Sequence, residues 1–162
     1  MRWFWFDRFT EFEPGRRAVA VKCVTLAEEH LHDHWAEFPV MPPSLMIEGM
    51  AQTAGILVGE ARQFREKVIL AKIKRAELRQ LVRPGSRLRY EADVESLSDG
   101  AASTRGRVFC DDAHIGDVDL VFSHVDNNIS GLEFPQENFV FTEEFMGLLR
   151  SFRPGQPQGV AL

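Results

Sequence analysis

The chain has 162 residues, enough for one domain with a real core. Its net charge of −5 argues against a general nucleic-acid binder, and no apolar run approaches the roughly 20 residues of a membrane span. Two cysteines, Cys23 and Cys110, are too few for a disulfide framework and sit in no metal-ligand spacing, so buried thiols in a reducing cytoplasm are expected.

Taken in order, the apolar start through Phe4, Phe6 and Phe9 offers core residues. Asp7 and Arg8 interrupt it long before the apolar region of a signal peptide would be complete. Glu13-Pro14-Gly15 signals a turn. Ala18 to Thr25 alternates as a strand, and Glu28 to Trp35 reads as polar and irregular. Ser44 to about Arg65 is the one long helix, entered through Pro42 and Pro43 and apolar on nearly every face through Val58, which predicts a buried helix. Val68 to Ala76 follows as a strand. Arg87 to Leu97 alternates clearly, with Leu88, Tyr90, Ala92 and Val94 on one side. Ser98-Asp99-Gly100 signals a hairpin, Ala101 to Cys110 the next strand, Asp111-Asp112 a turn, and Ile115 to Val125 the last strand. From Asp126 the pattern dissolves into a loop. Phe141 to Phe152 fits a short helix with Phe145, Leu148 and Leu149 on one face. The expectation is a single domain over 1–152, with a C-terminal extension from about 126 and a disordered tail over 153–162.

One long apolar helix between a strand and an antiparallel meander is an α+β arrangement, a curved sheet wrapped around a helix. Such a sheet leaves a strand edge and part of the helix uncovered, which a dimer would close.

Charge is unevenly spread. Between Arg62 and Arg89 ten basic residues face only Glu66 and Glu77, so that window is +8 and the remainder −13. A solvated, charge-alternating surface is one reading; a patch for an acidic partner is the other.

The chemistry concentrates between His34 and Gln52. Glu48 is a lone carboxylate among Leu45, Met46, Ile47, Met50 and Ala51, and charged residues are rarely buried unless paired or used. Gln52 stands one helical turn on, within hydrogen-bonding reach. Ser44 suits a helix cap with substrate contact. His30, His32 and His34 would share one side of a strand, a weak metal signal; no metal and no cofactor are expected.

The segment H-x-x-x-x-P-V-M-P-x-x-L-x-I-E-x-M-A-Q resembles the active-site segment of the β-hydroxyacyl-acyl carrier protein dehydratases of fatty-acid synthesis (FabZ/FabA-like). The later V-R-P-G-S-R-L-R-Y-E-A-D-V resembles another strand of that family, and the likeness covers roughly Phe9 to Val125. It implies the hot-dog fold and a hydro-lyase with His34 and Glu48 as catalytic pair, contributed by different protomers of a homodimer, with higher assemblies of dimers open. It further implies elimination of water from a 3-hydroxyacyl thioester on acyl carrier protein or coenzyme A. A neutral His34 would take the C2 proton, and Glu48, its pKa raised in an apolar tunnel, would protonate the leaving hydroxyl. Glu rather than Asp at position 48 resembles the branch that dehydrates without isomerising.

Pro43 departs from the pattern. The family carries glycine there, and its N–H binds the thioester carbonyl; proline has none. Either Ser44 or another backbone N–H takes that role, or the chemistry differs. A hot-dog thioesterase, in which Glu48 activates water, and a non-catalytic acyl-binding relative are the alternatives. Pro43, Ser44 and Gln52 are the expected substrate-binding residues. Acyl length would depend on how far a tunnel runs past Ile56, Leu57 and Phe64.

Overall fold

The computed structural model describes residues 4–33, 35, 37–125, 128–129, 132–133 and 137–152. His34 and the tail over 153–162 lie outside them. The elements in order are β1 (Arg8–Glu13), β2 (Arg17–Cys23), α1 (Glu29–Asp33), α2 (Pro43–Ala61), β3 (Lys67–Leu78), β4 (Arg87–Leu97), β5 (Ala101–Cys110), β6 (Ala113–Val125), β7 (Asn128–Ile129), β8 (Leu132–Glu133) and α3 (Glu143–Phe152).

Six strands form one antiparallel sheet in the order β1-β2-β4-β5-β6-β3, curved around α2 in the hot-dog arrangement. The period-two pattern explains the register. Leu88, Tyr90 and Ala92 point inward from β4, as do Val118, Leu120 and Phe122 from β6, and all are buried. From α2, Met46, Met50, Ala54, Leu57 and Val58 meet them and are fully buried. Each large side chain so buried contributes about 1.5–3 kcal/mol. Gly49 lets the helix approach Tyr90: a Cβ there would stand 2.6 Å from the phenol Cζ.

The hairpins follow their turn residues. Asp111 and Asp112 both have positive φ, 47° and 71°, the geometry a two-residue turn between twisted strands requires. Asp111 Oδ1 also accepts the Arg87 N–H at 2.8 Å.

On the opposite sheet face, Glu91 is buried among three arginines. It accepts Arg17 at 3.1 Å and Arg107 at 2.9 Å, and pairs closely with Arg89. Most of the basic window is absorbed in this way. Arg75 and Arg79 both pair with Glu77 and Asp117, Arg62 with Asp99, and Arg87 with Asp112.

Several expectations change. Residues 29–33 are a helical turn, because Glu28 and Glu29 lead a segment with one core residue, Leu31. Positions two apart on a helix do not face each other, so His30 and His32 do not share a side. Helix α2 starts at Pro43, one residue earlier than expected. Pro42 occupies the N-cap position, so Ser44 is no cap. Cys23 is exposed; only Cys110 is buried. Within the expected loop, β7 and β8 pair as a minimal hairpin.

Candidate active site

The site forms along one side of α2. Pro42 and Pro43 have no N–H, so the first N–H of the helix belongs to Ser44; those of Leu45 and Met46 both donate to Pro42 O, at 2.9 and 3.3 Å. Glu48 lies on the next turn. It is exposed in the single protomer, so its own chain does not supply the burial expected from its apolar neighbours. The reason is helical geometry: Met46, Gly49 and Met50 turn to the sheet while Glu48 turns to the open side.

Gln52 holds that carboxylate. Its Nε2 donates to Glu48 Oε1 at 2.9 Å, and its Oε1 accepts the Trp5 N–H at 2.9 Å. The segment before β1 therefore fixes the amide orientation, and the amide fixes the carboxylate.

Glu48, Ala51, Gln52, Gly55 and Ile56 form one wall of a cavity of about 330 Å³. Val68 and Leu70 of β3 and Phe122 of β6 form the opposite wall, and Phe4, Val140, Phe141 and Phe145 complete the lining. One end thus carries a carboxylate and an amide, and everything beyond is apolar. This suits a ligand with a polar head and a hydrocarbon tail.

Glu48 and Gln52, singled out from sequence, are brought together here. Pro43 and Ser44 are exposed at the start of α2, about 7 Å along the axis from Glu48, and do not line the cavity. His34 lies outside the described residues. The chain on either side of it is placed: Asp33 ends α1, and Trp35 packs against Phe38 at 6.4 Å. The amide of Met41 donates to Val82 O at 2.8 Å, anchoring the approach to α2. Of the expected tunnel residues, Ile56 lines the cavity, Leu57 is in the core, and Phe64 lines a second cavity. Among the described residues no group of three or more His, Cys, Asp or Glu side chains could hold a metal ion. No helix among them is long and apolar enough to cross a membrane.

The aromatic lining from Phe4, Phe122, Phe141 and Phe145 was not legible as a site. Phe4 reads as a core residue, Phe122 and Phe145 as apolar faces of a strand and a helix, and Phe141 only as the start of that helix; the fold brings them to one groove.

Comparison with known proteins bears on the family and the fold. The family model described as FabA-like domain matches residues 3–119. The 3-hydroxyacyl-acyl-carrier-protein dehydratase FabZ of Thermoanaerobacter sp. (strain X514) is 32% identical over 117 residues, covering 72% of this chain and 82% of that protein. The dehydratase FabZ of Caldanaerobacter subterraneus subsp. tengcongensis is 37% identical over 101 residues, covering 62% and 72%. Among solved structures, the dehydratase heterocomplex ApeI:P of Xenorhabdus doucetiae superposes with a TM-score of 0.63 at 15% identity, covering 77% of this chain and 85% of that one.

Proposed function

Because this chain belongs to the FabA-like family, we propose that it is a 3-hydroxyacyl thioester dehydratase of fatty-acid synthesis, with His34 and Glu48 as its catalytic pair. The observation that carries the reading is Glu48, held by Gln52 at the polar end of an otherwise apolar cavity.

In this reaction the thioester carbonyl acidifies the C2 proton, which the neutral imidazole of His34 removes. The electron pair forms the C2–C3 double bond as the C3–O bond breaks. Glu48 in its acid form gives the departing hydroxyl its proton, and water leaves. Charge developing on the carbonyl oxygen needs a donor, and in this reading Ser44 N–H, the first of α2 and outside the cavity of the single protomer, takes the role that residue 43 cannot.

The active form in this reading is a homodimer. Strand β3 is a sheet edge, with Leu70 and Ile73 exposed at 41% and 45%. In this reading a second copy pairs with that edge and covers the open side of Glu48, and the family resemblance implies that the second copy supplies the His34 that acts with it. The reading also implies a cytoplasmic enzyme that takes its acyl group from acyl carrier protein or coenzyme A. Arg83, stacked on Phe38 at 4.4 Å beside the approach to α2, has no carboxylate partner among the described residues and is placed to meet an acidic carrier.

The test is hydration of crotonyl thioester, followed by loss of conjugated absorbance, with His34→Ala and Glu48→Gln beside the parent. Turnover in the parent and at least about a 100-fold loss in each variant is expected. A folded parent without turnover, unrestored by Pro43→Gly, overturns the reading.

A further inference from the structure

Phe141 lines the cavity beside Glu48, packs over Gly59 beyond the α2 residues that line it, and lies outside the segment 3–119 that matches the family. Resting on the acyl-thioester reading above, we propose that Phe141, carried by the C-terminal segment, is a stopper that sets the longest acyl chain the site accepts.

Three observations place it. First, the ring sits where α2 has no side chain: a Cβ on Gly59 would stand 2.5 Å from Phe141 Cζ. The line of α2 residues that begins with Glu48 and continues through Gln52 and Gly55 is thus blocked at Gly59. Helical rise puts Glu48 about 10 Å from Gly55 and about 16 Å from the block at Gly59, a span that accommodates an octanoyl tail and that an extended palmitoyl tail exceeds.

Second, the ring is held from two sides. Asn138 Oδ1 accepts the N–H groups of Val140 and Phe141 at 3.1 and 3.0 Å, while its Nδ2 donates to Phe64 O at 3.1 Å and Glu66 O at 3.4 Å. One amide therefore ties the turn before α3 to the turn after α2. Helix α3 seats Phe145 and Leu149 in the core, and Phe145 stacks on Phe4 at 5.5 Å. The turn after α2 is itself unusual. Gln63 and Phe64 both have positive φ, 55° and 56°, which non-glycine residues rarely adopt. That conformation accompanies a Phe64 ring set edge-on to Phe141, centroids 4.8 Å apart.

Third, there is space behind the stopper. A second cavity of about 260 Å³ is lined by Glu60, Gln63, Phe64, Met146, Leu149 and Arg150. Phe141 lines the first cavity and Phe64 the second, and their rings are in contact, so the two cavities meet at this pair in the proposal. Removing the Phe141 ring joins the two spaces into a longer groove.

The experiment compares the parent with Phe141→Ala, and with Phe141→Leu as a milder change should the first not fold. Octenoyl and hexadecenoyl thioesters are assayed for hydration. Octanoyl- and palmitoyl-coenzyme A, below their micellar concentrations, are assayed for binding by calorimetry. The parent should favour the shorter chain in both assays, and the variant should raise the long-to-short ratio at least about tenfold. A parent indifferent to length, or a folded variant with an unchanged ratio, overturns the stopper. Length-selective binding without hydration leaves the stopper standing and sinks the dehydratase reading. Absence of both binding and hydration overturns the two together.

Discussion

Gln52 connects Trp5 to Glu48: one end of its amide accepts the Trp5 N–H and the other donates to the Glu48 carboxylate, both at 2.9 Å. Residues 47 positions apart in the chain are thereby made to set the direction of one carboxylate. Gln52→Ala frees Glu48 to rotate and leaves a part-buried N–H without its acceptor. In steady-state hydration of crotonyl thioester, kcat should fall about tenfold or more with KM little changed, and stability should drop by about 1 kcal/mol. Unchanged kcat would show that Gln52 does not position Glu48.

Gly49 is where α2 comes closest to the sheet. The Cβ of Gly49→Ala would meet Tyr90 Cζ at 2.6 Å and Trp5 O at 2.8 Å. Alanine raises helix propensity by about 1 kcal/mol, but overpacking against a wholly buried ring and a backbone oxygen costs about 1–3 kcal/mol. Urea unfolding should therefore show net destabilisation; a stabilised variant would mean that the contact relaxes freely.

Tyr90 brings a pH dependence. Its hydroxyl is buried and has no hydrogen-bond partner among the described residues, and burial pushes its pKa above the usual tyrosine value. The sign follows from linkage. A group with a raised folded pKa stabilises fully below its unfolded pKa and loses that contribution as pH rises toward the folded value. Above about pH 10 the unfolded chain gains by ionising Tyr90 and the folded chain does not. Tyr90→Phe should be neutral or slightly stabilising near pH 7, with a melting-temperature advantage over the parent that widens above about pH 10. A constant difference across that range would count against this account.

Glu91→Gln should be damaging although it removes only a charge. Glu91 is 7% exposed by side chain, and the three arginines around it are 24%, 28% and 43% exposed. Without the carboxylate Arg89 loses its ion pair, while Arg17 and Arg107 keep Asp93 and Arg17 also keeps Glu11, so the three partly covered cations are left under-compensated. Breaking such a pair costs about 3–5 kcal/mol when fully buried, and solvent at the arginines reduces this to about 1–3 kcal/mol. Added salt should recover part of the loss in a chemical melt; no recovery would assign the loss to packing.

How much of this was legible differs by element. Strands β4 and β5 begin and end at the expected residues, because alternation and turn chemistry agree there: Leu88, Tyr90 and Ala92 face in, while Asp111 and Asp112 supply the left-handed turn. Helix α1 was not legible, since five mostly polar residues around Leu31 give no periodicity. Glu48 was legible as an anomaly but not in its surroundings. An apolar stretch does not reveal which of its turns the sheet covers, and the sheet leaves this one open. Phe4 reads as a core aromatic, Phe145 as part of an apolar helix face and Phe141 as the start of that helix, and the meeting of these segments depends on tertiary contact alone.

The placement of Asn138 and Phe141 has a consequence for inheritance. The carboxylate end of the groove is written in the part of the chain shared with the FabA-like family, and the closed end in a segment beyond it. Chemistry and measuring rod are separate pieces of text, so one can be edited, lengthened or lost at the C-terminus while the other is copied unchanged.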